Sequence, residues 1–296
     1  MLARTLRLAI ALQMLVGAAL GFWLGFRFAP TWTLLTMVFT ALAVPVAVAL
    51  LAVLYSCSVS RSDEPAALWW RSLAGECWAA IQVFLLRQPW ALAAPQTQIG
   101  VGGQAKVAVL LVHGYGCNYR LWDAIAAALR AQGHALLAIN LEPVFTSIDD
   151  YALGVETAVQ ALRQQTGQQR LALVGHSMGG LAMRAWMRCF GTAQVARAIT
   201  LGTPHVGTQI NPVIATPNAL QMAWQSPWLQ DLAAAETEAT RSLFRVALTP
   251  QDNIVFPQRA QTLQGVRPVV FEGLGHLQLC TDAKVIAWVC SELALL

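Results

Sequence analysis

The chain has 296 residues, of which 56% are hydrophobic and only 11% charged, and it carries a net charge of +4. That balance is far from an ordinary soluble domain and places part of the chain in lipid. Lys and Arg are scattered singly, so no basic stripe points to nucleic acid, and the small positive charge belongs with membrane flanks.

Leu8 to Phe26 gives 19 positions without a charge and Thr31 to Tyr55 gives 25 more, with Arg27 and Pro30 in the turn between them. Each stretch is long enough to cross a hydrocarbon core of about 30 Å as a helix. Arg4 and Arg7 give the first stretch the look of a signal peptide. Its length, the lack of a small-x-small cleavage site and the second span directly behind it favour a membrane anchor at 1–60 with two transmembrane helices. Pro45 falls inside the second span, where a kink is tolerated. Arg4 and Arg7 precede the spans, Arg61 and Arg71 follow them, and only Arg27 lies between. This bias predicts a multi-pass protein of a bacterial inner (cell) membrane, with the rest of the chain facing the cytoplasm. Cys57, Cys77, Cys117, Cys189, Cys280 and Cys290 stand singly, without C-x-x-C or metal-ligand spacing, so reduced thiols are expected rather than a disulfide framework.

Residues 61–103 read as an amphipathic helix and linker. Trp70, Leu73, Cys77, Ile81 and Phe84 recur at helical spacing, with Arg71, Ser72, Glu76 and Gln82 on the other side. The cluster of Trp69, Trp70 and Trp78 fits a helix lying in the membrane interface, and equally one packed on the following domain. The stretch from Gln88 to Gln98 reads as linker.

From residue 104 to 296 the pattern becomes α/β. Strands are predicted at Lys106–Val112, His134–Asn140, Leu171–Val174, Val195–Leu201, Leu243–Leu248 and Pro268–Phe271, and helices at Trp122–Arg130, Tyr151–Gln165 and Thr281–Leu295. Continuous apolar strands between helices imply a mostly parallel sheet covered on both faces. Ligands in such sheets bind at the carboxyl ends of the strands, where the polar motifs sit.

The central motif is Gly175-His176-Ser177-Met178-Gly179, with an apolar strand before it and a small-residue helix after it. Strand, sharp turn and helix are what a nucleophile elbow requires. A nucleophilic serine needs a base and an acid to hold that base. His276 and Asp252 each follow a strand, and the order Ser177, Asp252, His276 is that of an α/β-hydrolase. Asp149 and Asp150 are rival acids, but they precede the nucleophile and read as caps of the helix from Tyr151. The oxyanion formed on attack needs backbone donors, expected from Met178 after the nucleophile and from Tyr115 in His113-Gly114-Tyr115-Gly116. His113 reads as a structural loop histidine, His176 as pointing away from the site, and His205 as shaping the pocket.

The stretch from about 106 to 290 resembles a bacterial lipase or esterase of the α/β-hydrolase superfamily, on the triacylglycerol-lipase-like branch. The residues that carry the resemblance are Val112-His113-Gly114-Tyr115-Gly116, Gly175 to Leu181, Leu201-Gly202-Thr203-Pro204-His205-Val206-Gly207-Thr208, Asp252 before Ile254-Val255, and Gly275-His276-Leu277. The resemblance implies a His-Gly turn supplying an oxyanion donor and a cap or lid at about 208–241, where Pro212, Met222, Trp224, Trp228, Leu229 and Leu232 cluster. A helix pair completing the core remains the alternative for that segment. Nothing Gly-rich resembles a nucleotide loop, so no cofactor and no metal is expected. The expected activity is cleavage of a lipid or other ester substrate at the bilayer by a Ser-His-Asp triad through an acyl-enzyme. An acyltransferase or thioesterase using the same triad, or a tethered scaffold without activity, stays open as an alternative.

Overall fold

The computed structural model describes residues 1–98, 106–210 and 214–296, so the linker stretch 99–105 and Pro212 lie outside the described residues. The chain begins with two long helices, α1 (Leu2–Phe28) and α2 (Thr33–Val59), joined by one 3-10 turn at Pro30–Trp32. Both are long and apolar enough to cross a membrane. They form an antiparallel hairpin because Gly17, Gly21 and Gly25 put a bare backbone stripe on α1: a β-carbon on Gly17 would lie 2.4 Å from the Thr40 carbonyl oxygen. Thr40 Oγ1 donates to the Gly17 carbonyl at 2.6 Å, a polar tie across the seam. Large apolar side chains such as Leu12, Phe22, Trp23, Phe39 and Leu42 point outward and are exposed.

Helix α3 (Ala66–Ala80) continues through π-helical turns at Ile81–Arg87 and a 3-10 turn at Gln88–Trp90. Its buried face is rotated from the one the periodicity suggests: Leu73, Cys77 and Phe84 pack on the second core as expected, but Ser72 and Glu76 from the polar side join them. Trp69, Ser72, Glu76, Ala79 and Ala80 are buried, while Trp70 and Trp78 are exposed. Glu76 on the polar stripe of this helix faces the α/β domain, where it meets the backbone amides of Leu277 and Gln278; the two tryptophans are left outward.

The remainder is a six-stranded, fully parallel sheet in the order β2-β1-β3-β4-β5-β6. Its strands are β1 (Lys106–Val112), β2 (His134–Ile139), β3 (Leu171–His176), β4 (Val195–Leu201), β5 (Phe244–Leu248) and β6 (Val269–Val270). The helices are α4 (Asp123–Ala131), α5 (Tyr151–Thr166), α6 (Met178–Phe190), α7 (Pro217–Gln221), α8 (Pro227–Ala234), α9 (Glu238–Ser242) and α10 (Ala283–Ala294). One apolar core packs α5, α6 and α8 on one sheet face. The other packs α4 and α10 on the opposite face and recruits Val53 of α2 with Ala79 and Ala80 of α3, so the N-terminal region shares a core with the sheet.

The segment from Thr208 to Arg241, for which the sequence leaves a cover or a core-completing helix pair open, sends Met222, Leu229 and Leu232 into the first core. It is locked there by Arg184 of α6, fully buried and paired bidentately with Glu236 at 2.6 and 3.1 Å. Removing one partner of a buried pair strands the other charge. Glu236→Ala is therefore expected to destabilise the fold by about 3–5 kcal/mol, read as a lowered thermal midpoint of the detergent-solubilised protein. An unchanged midpoint would contradict this account of the Arg184 pair.

Candidate active site

Ser177 joins β3 to α6 with φ 55° and ψ −129°. A non-glycine residue in that region carries strain of about 1–3 kcal/mol and persists only where its surroundings over-determine it. Here they do. The Ser177 amide donates to Leu201 O at 2.9 Å, and a β-carbon on Gly179 would lie 2.0 Å from Val112 O, so α6 leaves the turn hard against the end of β1. The turn thereby lifts the serine to the carboxyl edge of the sheet.

Asp252 and His276 come from the loops after β5 and β6. Asp252 Oδ2 accepts from His276 Nδ1 at 2.8 Å, and its Oδ1 accepts from the amides of Ile254 and Val255 at 2.9 and 2.7 Å. The carboxylate is thus fixed on both oxygens. Burial alone would lower the His276 pKa, but the charge and hydrogen bond of Asp252, with a further push from Glu76, raise it above the ordinary histidine value. Ser177 and His276 are 6% and 4% exposed and line one cavity of about 390 Å³. They form no hydrogen bond with each other in this conformation. Tyr115 lines the same cavity, inside the turn that Cys117 closes by donating to Gly114 O at 3.3 Å. Met178 is the first residue of α6, so its N–H has no acceptor within the helix.

Several residues that hold this arrangement escape the sequence reading, and all lie in or are tied to the N-terminal region. Glu76 of α3 accepts from the amides of Leu277 and Gln278 at 2.9 and 3.1 Å, directly after His276. Its burial pushes its carboxyl pKa up to about 7, against the pull of the Leu277 amide. Asn253 accepts from the His276 amide at 3.0 Å and donates to Ser56 Oγ of α2 at 2.8 Å. Gln88 Oε1 accepts from the Asn118 amide at 2.6 Å, just beyond the Tyr115 turn. The small residues Gly75, Ala79 and Ala80 beside Glu76 were the one available sign that this face packs closely: a β-carbon on Gly75 would lie 1.9 Å from Gln278 Nε2.

The other histidines separate cleanly. His113 accepts from the Leu141 amide at Nε2 and donates from Nδ1 to Gly114 O, and burial lowers its pKa to about 4. His176 does not point away from the site: its ring stands 4.5 Å from that of His276, its Nε2 lies 3.1 Å from His276 O, and it lines the cavity. His205 is buried against Thr200 and Arg184 and does not line the cavity. Of the rival acids, Asp149 pairs with Arg188 and accepts from Trp228, while Asp150 accepts from Thr146. Among the described residues no group of three or more His, Cys, Asp or Glu side chains is arranged to hold a metal.

Residues 107–250 match the family model described as the alpha/beta hydrolase fold. A probable esterase, PIR7A, of Oryza sativa subsp. indica is 34% identical over 101 residues, which is 31% of this chain and 37% of that protein, so the chain spans little more than a third of this relative. The mature lipase BlEst2 of Bacillus licheniformis superposes with a TM-score of 0.59 at 14% identity, covering 68% of this chain and 98% of its own. Lipase B of Aspergillus fumigatus does so with a TM-score of 0.55 at 14% identity, covering 67% and 56%. The chain has the α/β-hydrolase fold.

The electrostatics give a direct test. In an NMR titration of selectively labelled imidazoles, His276 is expected to titrate above the ordinary midpoint of about 6.5, while His113, His176 and His205 titrate below it. Glu76→Gln removes a negative neighbour and should lower the His276 midpoint; a midpoint that stays put would show that the α3 carboxylate does not act on His276.

Proposed function

We propose that the chain is a membrane-anchored serine hydrolase that cleaves carboxylic esters, specifically lipid esters, with Ser177, His276 and Asp252 as its triad. The observation that carries the reading is the strained Ser177 turn opening into the same cavity as an imidazole already held by a buried carboxylate at 2.8 Å. Ser177 Oγ attacks the ester carbonyl and passes its proton to His276 Nε2, while Asp252 holds Nδ1–H and stabilises the imidazolium. The tetrahedral oxyanion is met by the amides of Tyr115 and Met178. His276 returns the proton to the departing alcohol, and then activates a water that attacks the acyl-enzyme and releases the acid. The open Ser177–His276 contact closes when substrate excludes water, as is common for resting sites.

The apolar lining of the cavity supports an acyl substrate. Two apolar helices support a membrane anchor, and the Arg7 guanidinium, which donates to Pro89 O at 2.7 Å, holds the start of α1 against the turn whose Gln88 binds Asn118 of the catalytic domain. Both ends of the hairpin and the domain then share one side of the bilayer, which the arginine bias makes the cytoplasmic side of a bacterial inner membrane.

The test is turnover of p-nitrophenyl esters in detergent micelles. Ser177→Ala should abolish it, and Asp252→Asn should lower kcat by about ten-thousandfold. Because the base must be neutral and its pKa is raised, kcat/KM should climb with pH and reach its plateau only above the ordinary histidine range. Wild-type turnover in the Ser177→Ala protein would sink the assignment.

A further inference from the structure

The cavity over Ser177 is only half made by the hydrolase domain. Its other wall is the membrane hairpin: Ala9, Ile10 and Gln13 of α1, and Pro45, Ala49 and Ala52 of α2. Positions 6, 9, 10 and 13 lie on one face of a helix, as do 45, 49, 52 and 56, so each helix turns one continuous stripe to the cavity. We propose that this seam is the acyl-chain subsite, which takes a long fatty-acyl chain from the adjoining leaflet and aims its ester carbonyl at Ser177. The inference rests on the ester-hydrolase reading and adds to it where the chain lies and what selects it.

Three observations carry it. First, Ser177 is a buried residue that lines the cavity beside His276, so the reacting end of the subsite is fixed. Second, the seam has the right length and direction. Ser56 at its near end is tied to the acid turn through Asn253, and Pro45 lies eleven residues deeper in α2, roughly 16 Å at 1.5 Å per residue. That is about half of a hydrocarbon core of about 30 Å, the acyl depth of one leaflet. Third, the wall is apolar and kept open by small side chains at positions 9, 49 and 52, with Gln13 the one amide along the α1 stripe. A substrate drawn from the bilayer thus keeps its chain in an apolar medium throughout, and only its ester end moves from the interface to the serine. The segment from 214 to 241 contributes nothing to this wall among the described residues, so chain selection falls to the hairpin rather than to a cap.

The experiment is a chain-length series of p-nitrophenyl esters, butyrate to palmitate, on full-length protein in detergent, with fluorophosphonate labelling of every variant as a check that the serine is reactive. Wild type should prefer palmitate. Ala49→Trp fills the seam and should lower the palmitate-to-butyrate ratio of kcat/KM by tenfold or more while the serine still labels. Ala47→Trp, on the exposed face of the same helix, should leave that ratio alone. A wild type that labels but prefers butyrate, a ratio unmoved in Ala49→Trp, or an equal fall in Ala47→Trp would overturn the subsite and leave the hydrolase reading standing. A wild type that neither labels nor turns over any ester would remove both.

Discussion

Three loops that meet at Ser177 are held by polar side chains from outside the sheet, and the geometry of the site depends on that restraint. Glu76 of α3 binds the backbone after His276, Ser56 of α2 binds Asn253 beside Asp252, and Gln88 binds Asn118 after the Tyr115 turn. A sheet fixes the ends of its strands but not the course of the loops beyond them. In this chain the N-terminal helices supply that missing order, each through a hydrogen bond whose partners are buried. A buried polar group left without its partner costs about 1–3 kcal/mol, so these ties couple the position of the helices to the position of the loops.

The same arrangement accounts for the charge pattern. Glu76 is wholly buried, and loss of solvent lifts its carboxyl pKa above the ordinary acidic range, against the two amides of Leu277 and Gln278 that donate to it. Asp252 and Glu76 together outweigh the burial that would otherwise depress His276. Burial lowers the pKa of the three neighbouring histidines, His113, His176 and His205, so of these four buried histidines only His276 is shifted upward.

Much of this was legible in the residues. The Gly-x-Ser-x-Gly turn, the order Ser177, Asp252, His276 and the strand boundaries at Lys106–Val112 and Val195–Leu201 could be read because apolar runs and glycines record local backbone demands. The last strand was read too long: β6 is Val269–Val270, an exposed edge that pairs only with β5. The orientation of α3 was legible in part: Leu73, Cys77 and Phe84 do pack on the core, but hydrophobic periodicity assumes that water lies opposite the apolar face. For a helix between an apolar hairpin and a polar loop cluster that assumption fails, and Ser72 and Glu76 turn inward while Trp70 and Trp78 stay out. His176 was misplaced for a related reason: the elbow fixes the direction of Ser177, but the close approach of the His276 loop to its neighbour is a tertiary fact.

The proposed function turns on whether Ser177 is an activated nucleophile in this chain. The most direct measurement is mass-spectrometric mapping of the adduct formed by a fluorophosphonate on the detergent-solubilised protein, alongside His276→Ala. A single phosphonylated peptide carrying Ser177, lost in His276→Ala, is the result this account predicts. An unmodified Ser177, or an adduct that persists without His276, would contradict it.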